Sequence, residues 1–376
     1  MKLIIEPDDG IACLLDAIRT AKKSVEIAVF RFDRRDIEEA LKTVAAEKNM
    51  RVVALIAYSN RGGEKKLRKL ETRFLEVGIT VARSAPDLGR YHDKYILIDR
   101  RALYVLSFNF THLDIDHSRG FGIVSESPQW VKEAGKLFEA DCARNPYTPG
   151  PDTFVVSPLN ARKALGAFLR QAKKQLLIYD PMVSDKEMLR ILQERAKAGV
   201  EVRVIGEVAG PAKFDVQKLA GRLHTRTIIR DRRHAFVGSQ SLRAAELDSR
   251  RELGLIISDG ECVRRLLNTF ESDWVATCAG TEMAPAMTED REEAAPEDAE
   301  KPTDRVVEIL ERELNPLATE VREAVRKAVA QAGEEVVNDK EVKDTVKKVV
   351  KKAVKEAVQK VIEGSREGDE PRRRAS

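Results

Sequence analysis

The sequence is short of several residue types, and each shortage narrows what the chain can be. Aromatic residues make up 5% of 376 residues, thin provision for a surface that stacks successive bases. The four cysteines, Cys13, Cys142, Cys262 and Cys278, lack the spacing of a metal site and read as reduced thiols. No apolar run approaches the roughly 20 residues that span a bilayer. The amino terminus, Met1-Lys-Leu-Ile-Ile-Glu-Pro-Asp-Asp, turns acidic too early for a secretory leader. A formal net charge of +4 is too small to imply a nucleic-acid partner by itself. The balance of 34% charged to 43% hydrophobic residues is that of a soluble globular protein. The length allows two domains with additions, and the expected location is the cytoplasm.

Histidine is also scarce, at five residues, yet two of the five head one repeated pattern. His92-Asp-Lys94-Tyr-Ile-Leu-Ile-Asp99 is matched by His224-Thr-Arg226-Thr-Ile-Ile-Arg-Asp231. Each copy is followed in register by a short polar turn, Ser107-Phe-Asn109 and Ser239-Gln-Ser241. An imidazole beside a fixed cation suits attack on a phosphate ester: the ring supplies a lone pair and the cation holds the oxygens.

The duplication extends beyond the histidines. Ala17-Ile-Arg-Thr-Ala-Lys-Lys-Ser-Val-Glu-Ile-Ala aligns with Ala167-Phe-Leu-Arg-Gln-Ala-Lys-Lys-Gln-Leu-Leu-Ile. Helical patterns at Asp36 to Ala46 and Lys186 to Ala198 each precede an apolar strand. The alternation predicts an α/β sandwich with a mixed sheet flanked by helices in each half. The first half carries an extra charged helix near Gly62 to Val77. Both halves close with a helix ending in Phe-Glu-x-Asp, at Phe138 to Asp141 and Phe270 to Asp273. Three prolines between Pro146 and Pro151 join them. The expected organisation is a first repeat over 1–145 and a second over 152–278. An acidic linker follows over 279–302, then an amphipathic helical extension over 303–364 and a disordered basic tail over 365–376. Five lysines and no acid lie between Lys347 and Lys355. That helix can pack on a neighbour, touch an anionic membrane from the inner surface, or meet nucleic-acid phosphates.

The paired motifs, their trailing turns and the duplicated frame together resemble the phospholipase D superfamily over roughly residues 1 to 278. The second half is similar to the bacterial cardiolipin synthase-like branch, in Gly238-Ser-Gln-Ser-Leu242 and Arg251-Glu-Leu-Gly254. The resemblance implies metal-free, cofactor-free displacement at a phosphodiester, with both histidines at one phosphate. One histidine becomes a phosphohistidine; the other protonates the leaving oxygen and then activates water or an alcohol. By family analogy His92 is the nucleophile and His224 the general acid and base. Lys94, Arg226, Ser107, Asn109, Ser239 and Ser241 would hold phosphoryl oxygens. Asp99 and Asp231 complete the motifs, and bracing a loop is the favoured role for both.

The copies are unequal. Arg226 replaces a lysine and Ser241 an asparagine, so the first copy is the more complete. Glu252 lies after His224 where Gly120 lies after His92. On the family analogy Glu252 orients His92 across the repeats, while His224 has no such carboxylate and a lowered pKa. His112, His117 and His234 read as loop or turn residues, and Tyr91 as a strand residue that can line a pocket. The leading substrate is a phospholipid head group, handled by a monomer whose two repeats pair within the chain. The alternatives are a nuclease with the same histidines and a non-catalytic phosphate-binding scaffold.

Overall fold

The computed structural model describes residues 1–58 and 64–278. These lie in one compact unit, Met1–Ala295. The acidic linker, the helical extension and the basic tail expected from the sequence lie outside the described residues.

The first repeat runs β1 (Lys2–Glu6), α1 (Ala12–Arg19), β2 (Ser24–Val29), α2 (Arg35–Ala45), β3 (Arg51–Ile56), α3 (Glu64–Glu76), β4 (Thr80–Arg83), β5 (Arg90–Tyr91), β6 (Tyr95–Ile98), β7 (Ala102–Leu106), α4 (His112–His117), β8 (Ser118–Ser125) and α5 (Pro128–Ala143). The second runs β9 (Phe154–Ser157), α6 (Ala161–Arg170), β10 (Gln175–Val183), α7 (Lys186–Lys197), β11 (Glu201–Val208), β12 (Asp215–Gln217), β13 (Arg222–Leu223), β14 (Arg226–Arg230), β15 (His234–Gly238), α8 (Ala244–Asp248), β16 (Arg250–Ile257) and α9 (Gly260–Cys278). The mixed α/β sandwich expected from the alternation is present. The extra charged segment of the first half forms α3. His112 and His117 bound the short helix α4, and His234 opens β15, so none of the three is a loop residue.

Among the described residues there are two eight-stranded sheets. The first is ordered β1-β8-β7-β6-β2-β3-β4 with β13 also on β8, and the second β12-β11-β10-β14-β15-β16-β5 with β9 also on β16. In each sheet the central strands are parallel where helices cross over and antiparallel where hairpins turn, as in β2 with β3 against β6 with β7. The central strands are buried along their whole length: Tyr95–Ile98 in β6 and Arg226–Arg230 in β14. Runs of Ile and Leu with aromatic or Thr neighbours suit such positions. One core cluster takes in residues of both repeats, from Leu3 through Tyr179 and Leu253 to Phe270. The halves therefore fold onto each other and share their interior.

Each sheet also takes one short strand from the other repeat. β5 of the first repeat pairs in parallel with β16, Arg90 opposite Arg250 and Tyr91 opposite Arg251. β13 of the second pairs in parallel with β8, Arg222 opposite Ser118 and Leu223 opposite Arg119. These exchanged strands end at the two histidines. The next backbone bonds run from His92 N to Arg251 O at 2.8 Å and from His224 N to Arg119 O at 3.1 Å. The continued register sets His92 beside Glu252 and His224 beside Gly120.

Candidate active site

At His92 the register places a carboxylate from the other half against the ring. Nδ1 lies 2.7 Å from Glu252 Oε2, and both side chains are 0% exposed. Burial, reinforced by the charge of Glu246, pushes the Glu252 carboxyl well above its usual range, against the pull of Lys94 and Arg250. When Glu252 is ionised it accepts the Nδ1 proton, and that tautomer leaves the lone pair on Nε2. Phe30 packs edge-on to the imidazole at 4.6 Å between ring centroids. The Lys94 ammonium lies 5.4 Å from the centre of the Phe30 ring and donates to His92 O at 2.7 Å. The guanidinium groups of Arg31 and Arg90 lie over the same ring, each 5.5 Å from its centre.

At His224 the partners differ. Nδ1 faces Ser107 O at 3.0 Å; a carbonyl only accepts, so Nδ1 carries a proton. Nε2 lies 3.5 Å from Asn109 Nδ2 and 3.4 Å from Asp114 Oδ2. The expectation that His224 has no carboxylate partner is thus corrected: a carboxylate of the first repeat stands at Nε2. Arg226 Nη1 donates to His224 O at 2.7 Å, as Lys94 does to His92. Gly120 cannot carry the counterpart of Glu252, because a Cβ there would meet Phe108 Cδ1 at 2.9 Å. The corresponding turn residue of the second repeat is Gln240, which donates to Val155 O and Glu252 O.

The structure sets His92, Lys94 and Glu252 together on one side and His224, Arg226 and Asn109 together on the other, all six buried and each set linked across the repeats. Other expected site residues are placed elsewhere or occupied otherwise. Asp99 sits at the far end of β6, where its carboxylate accepts from the N–H groups of Lys22, Lys23 and Ser24. Asp231 does the same for Lys173, Lys174 and Gln175. Both begin tight hairpin turns with positive φ at two successive residues, 54° and 52° at Asp99 and Arg100, 52° and 59° at Asp231 and Arg232. Asp tolerates that conformation. These aspartates fix the Ala-Lys-Lys turn that opens β2 or β10, the loop-bracing role favoured for them.

The Ser107 hydroxyl accepts from Phe121 N at 2.8 Å, and Ser239 Oγ accepts from Leu253 N at 3.3 Å. Both hydroxyls therefore stitch the turn to the neighbouring strand as acceptors, and a hydroxyl that accepts still has its own proton to donate. Ser241 donates its hydroxyl to Asp180 Oδ1 in a short bond, and Asp180 Oδ2 accepts from Leu242 N at 2.7 Å. Burial pushes the Asp180 carboxyl up to about 6 against those donors. Ser241 is thereby committed to Asp180, whereas the amide of Asn109 reaches His224. Tyr91 is buried at the end of β5.

Three acidic residues were missed by the sequence reading. Asp114 Oδ2 accepts from Asn109 N at 2.7 Å, and Glu246 Oε2 accepts from Ser241 N at 2.6 Å. Each is the third residue of its short helix and reaches back to the turn, a signal visible as the acid five residues after Asn109 or Ser241. Asp180, at the end of a buried strand, gives no such signal. Among the described residues, no group of three His, Cys, Asp or Glu is arranged to hold a metal ion. No described helix is long and apolar enough to cross a membrane. Cys13, Cys142 and Cys262 are free thiols.

Comparison with known proteins agrees with the duplicated fold. The family model described as "Cardiolipin synthase, PLD-like domain" matches residues 14–142 and 165–274, one segment in each repeat. The 5'-3' exonuclease PLD3 of Homo sapiens is 31% identical over 115 residues, covering 26% of this chain and 24% of that protein. The Bos taurus protein matches to the same extent. The chain thus spans about a quarter of the length of these curated relatives. Among solved structures, polyphosphate kinase from Porphyromonas gingivalis superposes with a TM-score of 0.60 at 19% identity, over 73% of this chain and 50% of that one. Phosphatidylserine synthase from Haemophilus influenzae Rd KW20 gives 0.56 at 12% identity, over 73% and 85%. At these identities the structural likeness is one of fold.

Proposed function

The chain belongs to the phospholipase D superfamily, and we propose that it is a phosphodiesterase or phosphatidyltransferase acting through a phosphohistidine at His92. The observation that carries this reading is the 2.7 Å contact between His92 Nδ1 and Glu252 Oε2 across the repeats. With Glu252 ionised, that contact supports the His92 tautomer a nucleophile needs. In the first step His92 Nε2 forms a bond to phosphorus and the ester P–O bond breaks. The leaving oxygen takes a proton from His224. In the second, water or an alcohol attacks phosphorus while His224 removes its proton, and the P–Nε2 bond breaks. Lys94 and the Asn109 amide balance the charge that develops on the phosphoryl oxygens, and Arg226 adds positive potential from the other side.

The preferred substrate is a phospholipid head group, in keeping with the family whose model spans both repeats. Within this reading the protein works as a cytoplasmic monomer, and the lysine-rich stretch Lys347 to Lys355 meets an anionic membrane surface. A nucleic-acid phosphodiester is the second reading, favoured by Arg31 and Arg90 over the Phe30 ring beside His92. Purified protein assayed on phosphatidylglycerol vesicles, phosphatidylcholine vesicles and single-stranded DNA, with His92→Ala as control, separates the two. Head-group release or transfer that depends on His92 is expected. Cleavage of DNA alone would establish the second reading. Product from none of the three would leave a phosphate-binding scaffold.

A further inference from the structure

The geometry points to Asp114 as a positioning residue that holds the proton on His224 Nε2 for delivery to the leaving group. This inference rests on the proposed role of His224 as general acid. Asp114 is the third residue of α4, capped by the Thr111 hydroxyl, which accepts from Asp114 N at 3.2 Å. That cap fixes the carboxylate with Oδ2 on Asn109 N and 3.4 Å from His224 Nε2. Oδ1 accepts from Arg222 Nη1 at 2.6 Å, which anchors the carboxylate to the strand that delivers His224. The side chain is buried.

The two sides of the imidazole agree on its charge state. Ser107 O requires a proton on Nδ1, and a carboxylate at Nε2 favours a second one. Asn109 turns Nδ2 toward Nε2 and leaves Oδ1 without a hydrogen bond. A half-turn of the amide about χ2 exchanges the two atoms and places an acceptor at Nε2 as well. The doubly protonated ring then has acceptors on both nitrogens. The charged groups around it are Asp114 on α4, Arg222 on β13 and Arg226 on β14, with Glu246 on α8 4.0 Å beyond the Arg226 Nε. Glu246 of the second repeat braces Ser241 in the same way, and its Oε1 faces Arg250 at 3.3 Å and Arg243 at 3.6 Å.

A general acid matters most when the leaving group is a poor one. The test compares 4-nitrophenyl phosphodiester hydrolysis with cleavage of the unactivated ester the wild-type protein prefers, phosphatidylglycerol or single-stranded DNA. Asp114→Asn should lower kcat about 100-fold on the unactivated ester and less than about fivefold on the nitrophenyl ester. The basic limb of its pH–rate profile should move about one unit lower, because removing the anion makes His224 lose its proton earlier. Asp114→Glu should recover part of the loss. In the wild-type protein, ¹⁵N shifts of His224 should show both ring nitrogens protonated at pH 7, a reading independent of any variant's folding. Equal losses on both esters with an unmoved basic limb, or a neutral His224 ring, would overturn the inference while leaving the phosphohistidine reading intact. Failure of the wild-type protein to cleave any of the esters would overturn both.

Discussion

His92 Nδ1 and Glu252 Oε2 lie 2.7 Å apart although 160 residues separate them in the chain. The contact exists because β5 crosses to the second sheet and runs in register with β16. On the proposed mechanism, the covalent step depends on a residue of the repeat that does not supply the nucleophile. Glu252→Gln keeps the shape but removes the basic acceptor for the Nδ1 proton. The rate of phosphohistidine formation should fall by about 100-fold or more, measured by rapid quench with labelled substrate. A rate within threefold of wild type would refute the role of Glu252.

The two turn residues after the motifs should behave unlike each other. Ser241 gives its hydroxyl to Asp180, so Ser241→Ala should change KM and kcat by less than about threefold. Asn109→Ala removes the amide beside His224 and should cost about 10- to 100-fold in kcat. Steady-state kinetics on one substrate checks both, and equal effects would contradict the assignment.

Asp99 should matter to stability rather than chemistry. Its carboxylate satisfies three backbone N–H groups at the start of β2. Asp99→Ala should destabilise the protein by about 1–3 kcal/mol, and Asp99→Asn by less because one acceptor oxygen and tolerance of positive φ remain. Denaturant melts give the loss, and phosphohistidine formation per folded molecule should stay within about twofold of wild type.

Asp93 makes stability depend on pH. Burial, with the Asp141 charge adding to it, pushes its carboxyl up to about 8, against Arg251 and Lys94. The buried Tyr91 hydroxyl beside it also pulls downward, less than either cation. The folded protein therefore keeps a proton that the unfolded chain releases near pH 4, and stability falls as pH rises from about 4 to 8. Asp93→Asn should remove this dependence, raising the melting temperature at pH 8 and changing it little at pH 4. A difference that grows toward acidic pH would have the wrong sign.

Much of this site was legible because the chain writes it twice. The two histidines, Lys94 and Arg226, and the turn at Asn109 stand in register in both copies. The aligned pair Glu252 and Gly120 pointed to one-sided support for a histidine. The strands that bring this about were not legible: β5 and β13 are two residues each, too short for any alternation to register. The fate of the serine hydroxyls was hidden for a related reason. A serine after a strand looks the same whether it meets a ligand or a backbone N–H, and only the paths of β8, β10 and β16 decide. Asp114 pairs with Arg222 across 108 residues, a separation that no local pattern encodes.

The most direct test of the account is to quench the protein during turnover of a phosphate-labelled diester and map the label. The account predicts an acid-labile, base-stable phosphohistidine at His92 that accumulates in His224→Ala with an activated ester and disappears in His92→Ala. Label at His224, or turnover with no labelled histidine in either protein, would contradict it.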